Sequence, residues 1–143
     1  MEVTLALLAD SANVSADAKL NILGVFDTIF AERFPAVHGQ MQLILRLEAN
    51  PAEAGSRKQL EIQLMTEDGR KVFSIAAEMA FQVKDPSKPG GEMMKSDQII
   101  GLQNIRFEKP GDYQFAILVN DETKKAVPLK VREIPSQRSP RVG

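Results

Sequence analysis

The sequence contains no cysteine and no tryptophan, and it has one histidine and one tyrosine. The absence of cysteine excludes a disulfide framework, a thiol nucleophile, an iron–sulfur cluster and a thiolate-bound zinc ion. One histidine is too few for a histidine-rich metal site. Aromatic residues make up only 6% of the chain, which disfavours a stacking platform for sugar rings. We therefore expect a protein that folds without a metal ion or an organic cofactor.

Long apolar runs are also absent. The run near the amino terminus, Leu5–Ala9, follows the acidic Glu2 and is too short for a signal peptide or a membrane span. The net charge of −1 provides no overall field that would attract nucleic acid or an anionic membrane surface. The lack of cysteine suits a reducing compartment. We expect a cytoplasmic protein that binds neither nucleic acid nor membranes.

The dominant pattern is an alternation of apolar and polar residues with a period of two. It is clearest in Met41–Leu47, Leu60–Leu64, Tyr113–Val119 and Val127–Val131. Side chains of a strand point to opposite faces in turn, so this pattern buries one face and exposes the other. The strands are predicted at 2–9, 19–30 with a break near Asp27, 40–49, 57–66, 71–83, 98–107, 112–119 and 125–132.

Turn signals separate these strands. Asp68-Gly69 lies between two apolar runs, as in a hairpin, and Pro110-Gly111 fits a type II turn. Tyr113 follows that turn and is predicted to form a tyrosine corner. We predict an all-β protein, a single antiparallel immunoglobulin-like β-sandwich of about eight strands over residues 1–135, with 136–143 as a disordered tail.

Eight alternating side chains are predicted to share one core: Leu43, Leu45, Ile62, Leu64, Phe115, Ile117, Leu129 and Val131. Pro128 lies inside the last predicted strand. Because proline cannot donate a ladder hydrogen bond, that strand is expected at a sheet edge or with a bulge. The apolar phase slips between Leu102 and Ile105, which predicts a bulge near Gln103-Asn104.

Polar loop residues are candidates for ligand or partner contacts. We select Asp10, Asp27, Glu32 and His38, which would line a cleft at one end of the sandwich. Three chemistries were considered for such residues. A histidine triad needs a nucleophile in a suitable context, calcium needs six to eight oxygen ligands, and a glycosidase needs two carboxylates at a fixed separation. The corresponding residues are His38 for the triad, Asp10, Asn13 and Asp17 for calcium, and Asp27, Glu32 and Asp97 for hydrolysis.

The interpretation favoured for each set is structural. His38 makes ordinary loop hydrogen bonds, and the turn residues cap their own backbone. We therefore assign no catalytic, cofactor-binding or metal-binding residue. Met93 and Met94 lie in the longest polar loop, where they either form an adaptable contact surface or pack back at the start of the next strand.

The first predicted strand is apolar on both faces, with Val3, Leu5 and Leu7 on one and Ala6 and Leu8 on the other. A partner would cover the second face, so Leu8 is a candidate contact for self-association.

Charge is unevenly distributed between the two ends of the chain. Residues 1–32 carry five acidic residues against one lysine, a net charge of −4, and residues 124–143 carry six basic residues against one acid, a net charge of +5. This favours head-to-tail docking that involves Lys130 and Arg132. In the alternative, the first and last strands neutralise one another within one monomer.

Several runs together resemble a family of small uncharacterised bacterial proteins, a domain of unknown function: Met1–Asp10, Lys19–Ile29, Phe34–Pro35, Met41–Leu43, Arg46, Pro110–Tyr113 and Ile117–Glu122. The likeness covers roughly residues 1–132. It implies a stand-alone bacterial domain and supplies no catalytic residue. We expect a non-enzymatic interaction or structural module that associates with itself as a homo-oligomer or with a protein partner. The alternative is a β-sandwich that binds a small, carbohydrate-type ligand with its end loops.

Overall fold

The computed structural model describes residues 1–82 and 93–135, and these form nine strands. The strands are β1 (Glu2–Val14), β2 (Leu20–Phe26), β3 (Thr28–Ala31), β4 (Ala36–Ala49), β5 (Arg57–Met65), β6 (Lys71–Ala80), β7 (Met94–Phe107), β8 (Gly111–Val119) and β9 (Glu122–Glu133). A single 3-10 turn, Pro51–Glu53, joins β4 to β5. The predicted tail at 136–143 lies outside the described residues.

The strands form two sheets that pack face to face. Sheet one has the order β2-β1-β4-β7, and sheet two has the order β3-β9-β8-β5-β6. The predicted β-sandwich is therefore confirmed. The predicted break near Asp27 separates β2 from β3, which carries the chain from the edge of sheet one to the edge of sheet two. One pairing departs from the antiparallel pattern, since β3 runs parallel to β9.

The core lies between the sheets and contains all eight side chains that the alternation predicted. Leu43, Leu45, Leu64 and Phe115 have no exposed surface. Burial of a leucine or phenylalanine side chain contributes roughly 1.5–3 kcal/mol to folding. The period-two pattern therefore identifies the main source of stability.

The Asp68-Gly69 turn and the tyrosine corner form, whereas the predicted type II turn at Pro110-Gly111 is wrong, because Gly111 lacks the positive φ that such a turn requires and begins β8. Gly69 has a φ of 84°, in the left-handed region that its turn requires. The Tyr113 hydroxyl donates a 2.7 Å hydrogen bond to the carbonyl oxygen of Lys109. The ring packs edge-on against Phe107 with a centroid separation of 5.0 Å. Tyr113 thus fixes the β7–β8 connection onto the core.

The apolar character of both faces of β1 arises in part from a bulge. The register with β4 shifts between Val3 and Leu5, so Thr4 is the additional residue. The shift places Val3 and Leu8 in the same core, although strict alternation assigned them to opposite faces.

On the outer face of sheet one, Leu7, Ile44 and Ile99 lie in one row across three strands. Ile44 has no exposed surface, and Leu7 and Ile99 on either side of it are partly buried.

The two other expectations about irregular strands concern Pro128 and a bulge near Gln103, and they have different outcomes. Pro128 faces Gln114 of β8, and β3 pairs with β9 only from Lys130 onward, so Pro128 lies where β9 has an open side. The register between β4 and β7 is unchanged across Gln103, so the predicted single-residue bulge is wrong. Instead Asn104 has a φ of 54°, and both strands change face together at this point. Within the described part of the chain, no helix is long and apolar enough to cross a membrane.

Candidate functional site

Beyond Ala9, β1 no longer pairs with β4, and the β1–β2 hairpin projects beyond the rest of sheet one. β1 pairs with β4 as far as Ala9–Gln42, while its pairing with β2 continues to Val14–Leu20. The distal part of this hairpin is therefore a two-stranded ribbon whose β1 side is no longer paired with β4. Isolated two-stranded ribbons are marginally stable in water. This arrangement leaves β2 as the outermost strand at one side of sheet one.

The β2 edge, defined as the outward backbone edge of Leu20–Phe26 with the exposed side chains Leu23 and Val25, has little protection. Proteins blunt sheet edges with charges, proline, bulges or very short strands. Among the described edge strands, β3 has four residues, β6 carries Lys71 and Glu78, and β7 carries several charges. The seven residues of β2, Leu-Asn-Ile-Leu-Gly-Val-Phe, include no charge and no proline.

The exposed side chains of β2 lie on the outer face of sheet one. Leu23 is 73% exposed and Val25 is 62% exposed. The opposite side of the strand points inward, where Phe26 packs against the core. Gly24 between them has a φ of 74°, in the region that favours glycine, and the Asp10 carboxylate occupies the space that a Cβ would need there. The β2 edge combines an open row of backbone groups with an apolar surface.

The residues considered for calcium are spread along the hairpin. Asp10 lies beside Gly24, and Asn13 accepts a 3.0 Å hydrogen bond from Asn21 across the two strands. Asp17 accepts a hydrogen bond from Ser15 and lies 3.2 Å from the Lys19 amine, and these two contacts hold the pKa of Asp17 below its usual value. These groups stabilise the turn locally, in agreement with the structural interpretation.

Asp27 and Glu32 lie in the connections on either side of β3, whereas His38, which was predicted in a loop, lies on β4, where it pairs with Ile105 at the same end of the sandwich. The Asp27 side chain accepts a 2.7 Å hydrogen bond from the Thr28 hydroxyl, and its backbone oxygen accepts one from the Lys130 amide. The His38 ring lies 6.0 Å from the Phe26 ring, and its buried Nε2 has no hydrogen-bond partner among the described residues. The expected loop hydrogen bonds of this nitrogen are therefore replaced by packing against an aromatic ring.

The two methionines lie at the other end. Met94 pairs with Ala49 and packs against the core, whereas Met93 is 50% exposed. Ala49 and His38 lie eleven residues apart on β4, about 36 Å at the usual rise per residue. The methionines and the polar end loops therefore cannot form one site. The packing interpretation is therefore correct for Met94, whereas Met93 has the exposure that a contact surface requires.

Asp97 forms an ion pair with Arg46 and lies apart from the other two carboxylates considered for acid–base chemistry. The Arg46 guanidinium contacts both carboxylate oxygens of Asp97, at 2.8 and 3.3 Å. The hydrogen bond that Arg46 donates to Asp97 and the negative charge of Asp97 raise the pKa of Arg46. This cross-strand pair joins β4 to β7 near the Ala49–Met94 end of their pairing, away from Asp27 and Glu32 at the other end of the sandwich. The structure therefore does not bring the three carboxylates considered for hydrolysis together.

The expectation that Leu8 contacts a partner is wrong. Leu8 has no exposed surface and belongs to the monomer core, because the bulge at Thr4 turns it inward. A side chain without exposed surface cannot contact a second molecule while the fold is intact.

The basic residues of β9 are also partly engaged within the chain. Arg132 contacts Asp112 at 2.6 Å, and Lys124 lies 3.4 Å from Glu2, whereas the Lys130 side chain is exposed. The Lys124–Glu2 contact joins the first strand to the last within one monomer. It supports the alternative of internal neutralisation and weakens the argument for head-to-tail docking.

A groove of about 410 Å³ lies on sheet two, beside the β5–β6 turn. Its lining includes Met65, Thr66, Glu67, Gly69, Asp112, Tyr113, Gln114, Pro128 and Lys130. Of the residues predicted for ligand contacts, neither Asp10, Asp27, Glu32 nor His38 lines it. The groove brings two carboxylates and one lysine together around the edge of an aromatic ring.

Sequence reasoning missed the β2 edge as a surface, although one signal was present. The segment Leu20–Phe26 has an apolar residue on both faces and no charge, unlike the alternating strands of the core. Such a strand is buried on both faces or is available to a partner. The exposure of Leu23 and Val25 excludes the first possibility.

Comparisons with known proteins address the family and not the activity. The model of a family of unknown function (DUF6941) matches residues 4–132. No curated protein matches the chain. Among solved structures, the chain is similar to part of a beta-glucuronidase from glycoside hydrolase family 2, with 17% identity and a TM-score of 0.40. That match covers 68% of this chain and only 11% of the other, so no activity is carried over from it.

Proposed function

The chain belongs to DUF6941, a family of unknown function, and we propose from its geometry that it is a non-enzymatic interaction module that joins another protein chain through the β2 edge. The observation that carries this proposal is the position of an uncharged strand at the margin of sheet one, with Leu23 73% exposed. Two of the candidate ligand and acid–base groups support it, because Asp97 and Asp17 are engaged in ion pairs within the chain.

Strand addition is the mode of binding that this edge fits. An extended segment that lies along β2 would complete the open backbone hydrogen bonds, while Leu23 and Val25 would supply the apolar contacts. Main-chain pairing provides affinity in such complexes, and side chains at alternate positions provide specificity. Burial of these two side chains would also stabilise the complex, since removal of apolar surface from water is favourable by about 25 cal/mol per Å².

Affinity capture with matched variants tests the proposal. The double variant Leu23→Lys with Val25→Lys places two charges on the β2 edge, and we expect it to lose the proteins that the unmodified chain retains. Val72→Lys is the control, since Val72 is 40% exposed on β6, the edge strand of the other sheet. Each captured protein is then purified and its binding is measured again with the three chains. Equal binding by the unmodified and the double-variant chain would refute the proposal.

Ligand binding in the groove on sheet two is the second candidate function. A volume of about 410 Å³ suits a small molecule, and Lys130 beside Glu67 and Asp112 offers both donors and acceptors. Carbohydrates use such mixed polar groups. Against it, the only tyrosine of the chain is buried there and its hydroxyl is already bonded to Lys109.

Thermal-shift measurements with a panel of neutral and acidic sugars test this second function. A sugar that raises the melting temperature of the unmodified chain and not of Lys130→Ala would support it. Lys125→Ala is the control, because Lys125 is exposed on the same strand and does not line the groove. If no sugar at millimolar concentration shifts the melting temperature, the groove is not a carbohydrate site.

A further inference from the structure

We infer that the occupant of the β2 edge is the β2 edge of a second copy of this chain, paired antiparallel about a two-fold axis at Leu23. This inference rests on the proposed function and specifies its partner. In this register Leu23 of one copy faces Leu23 of the other, and the two four-stranded sheets become one continuous sheet. Isologous pairing of this kind closes as a dimer.

Charge complementarity at the ends of β2 favours a second copy. Pairing about Leu23 places Lys19 of one copy opposite Asp27 of the other, and the symmetry repeats this pair at the other end of the strand. Both residues are exposed, and they directly flank the uncharged strand. Opposite charges at facing positions stabilise a strand pair, and like charges there destabilise it.

Other symmetric registers lose this complementarity. A two-fold axis normal to the sheet keeps outward side chains on one face. The two strands can therefore shift relative to one another only by two residues at a time, which moves the axis by one residue. Pairing about Ile22 would place Asp17 opposite Asp27, which is repulsive. Pairing about Gly24 would place Asp27 opposite Asn21 and leave Lys19 without an acidic partner.

The existing side-chain contacts of Lys19 with Asp17 and of Asp27 with Thr28 are both exposed to solvent. Lys19 contacts Asp17 at 3.2 Å, but the two side chains are 77% and 60% exposed. Such surface pairs contribute little to stability, so exchange of one partner costs little. Pairing about Leu23 also places Gly24 opposite Ile22 of the other copy.

Cysteine crosslinking tests the register directly, because the chain has no cysteine of its own. Residues directly opposite in an antiparallel pair have Cα atoms about 4.5–5.5 Å apart, within the range of a disulfide. Leu23→Cys should therefore form a covalent dimer under mild oxidation. Asn21→Cys is the matched control, since the two copies of position 21 would lie four residues out of register, about 13 Å apart.

Reversal of the terminal charges provides an independent test. Lys19→Asp and Asp27→Lys should each lose the dimer, because each places like charges opposite one another at both ends of the pair. An equimolar mixture of the two variants restores both opposite-charge pairs and should form a heterodimer. Circular dichroism melts of the separate variants establish that each is folded before the mixture is measured.

Light scattering on the full chain over a range of concentrations gives the reference state. We expect the mass to rise from 15.8 kDa toward twice that value as concentration increases. A monomer at every concentration, or equal crosslinking of the two cysteine variants, or a mixture that stays monomeric, would overturn the inference. If another protein still binds and Leu23→Lys with Val25→Lys abolishes that binding, the proposed function stands and only its occupant is wrong.

Discussion

The hydroxyl of Tyr113 donates a 2.7 Å hydrogen bond to the carbonyl oxygen of Lys109, four residues earlier in the chain. This bond spans the turn between β7 and β8, and it is made by a side chain that is only 6% exposed. It ties the start of β8, in sheet two, to the connection that leads from β7, at the edge of sheet one.

Tyr113→Phe should destabilise the fold without changing its core packing. The substitution removes the hydroxyl donor and keeps the ring that packs against Phe107. The net value of such a hydrogen bond is about 0.5–1.5 kcal/mol, and we expect a loss in that range from urea unfolding. Tyr113→Leu, which also removes the ring, should cost distinctly more. Equal losses for the two variants would show that the hydroxyl contributes nothing.

Alkaline pH should weaken the fold through the same residue. Burial raises the pKa of Tyr113 above its ordinary value near 10. The neutral form is therefore favoured in the folded state, and its contribution is present below pH about 10 and is lost as the pH rises through the raised pKa. We expect the free energy of unfolding to fall more steeply above pH 10 in the unmodified chain than in Tyr113→Phe. Parallel curves for the two chains would contradict the assignment.

Leu45→Ala should lower stability by roughly 2–5 kcal/mol, the usual cost of a cavity at a buried leucine. Leu45 has no exposed surface and lies within the shared core. Val37→Ala on the same strand is the control, because Val37 is 60% exposed and should change the free energy of unfolding by less than about 0.5 kcal/mol. Thermal melts of the two variants compare the two faces of β4, and an unchanged melting temperature for Leu45→Ala would show that its face assignment is wrong.

Leu8→Glu should unfold the protein or lower its melting temperature sharply. Leu8 is fully buried, and a carboxylate at this position would have to lose its hydration without a partner. Ser11→Glu, an exposed position further along β1, should be tolerated in the same melt. A folded Leu8→Glu chain with a normal melting temperature would mean that β1 can reverse its faces.

Local patterns in the sequence predict most of the strands, because alternation and turn chemistry act over a few residues. Asp68-Gly69 and Pro110-Gly111 mark connections that the structure contains. The break at Asp27 was also predictable. The face of Leu8 was not, since one additional residue at Thr4 reverses every later position of the strand.

Strand order depends on contacts between distant residues, and it decides which surfaces are open. The pairing of β3 with β9 joins Thr28 to Lys130, and no pattern within either segment specifies the partner. For the same reason the sequence did not predict that β2 lies at a sheet edge. The candidate residues Asp10, Asp27 and His38 were chosen as polar loop residues, whereas the surface that the fold exposes is apolar and lies on a strand.

The parallel pairing of β3 with β9 also has a consequence during synthesis of the chain. All four strands of sheet one end at or before Phe107, so they emerge from the ribosome before β9 does. β3 is made early but has no neighbour within its sheet until Lys130–Glu133 emerge. During that interval Ile29 and the apolar strand around it remain without their permanent cover, and a nascent chain is most vulnerable to mispairing at this point.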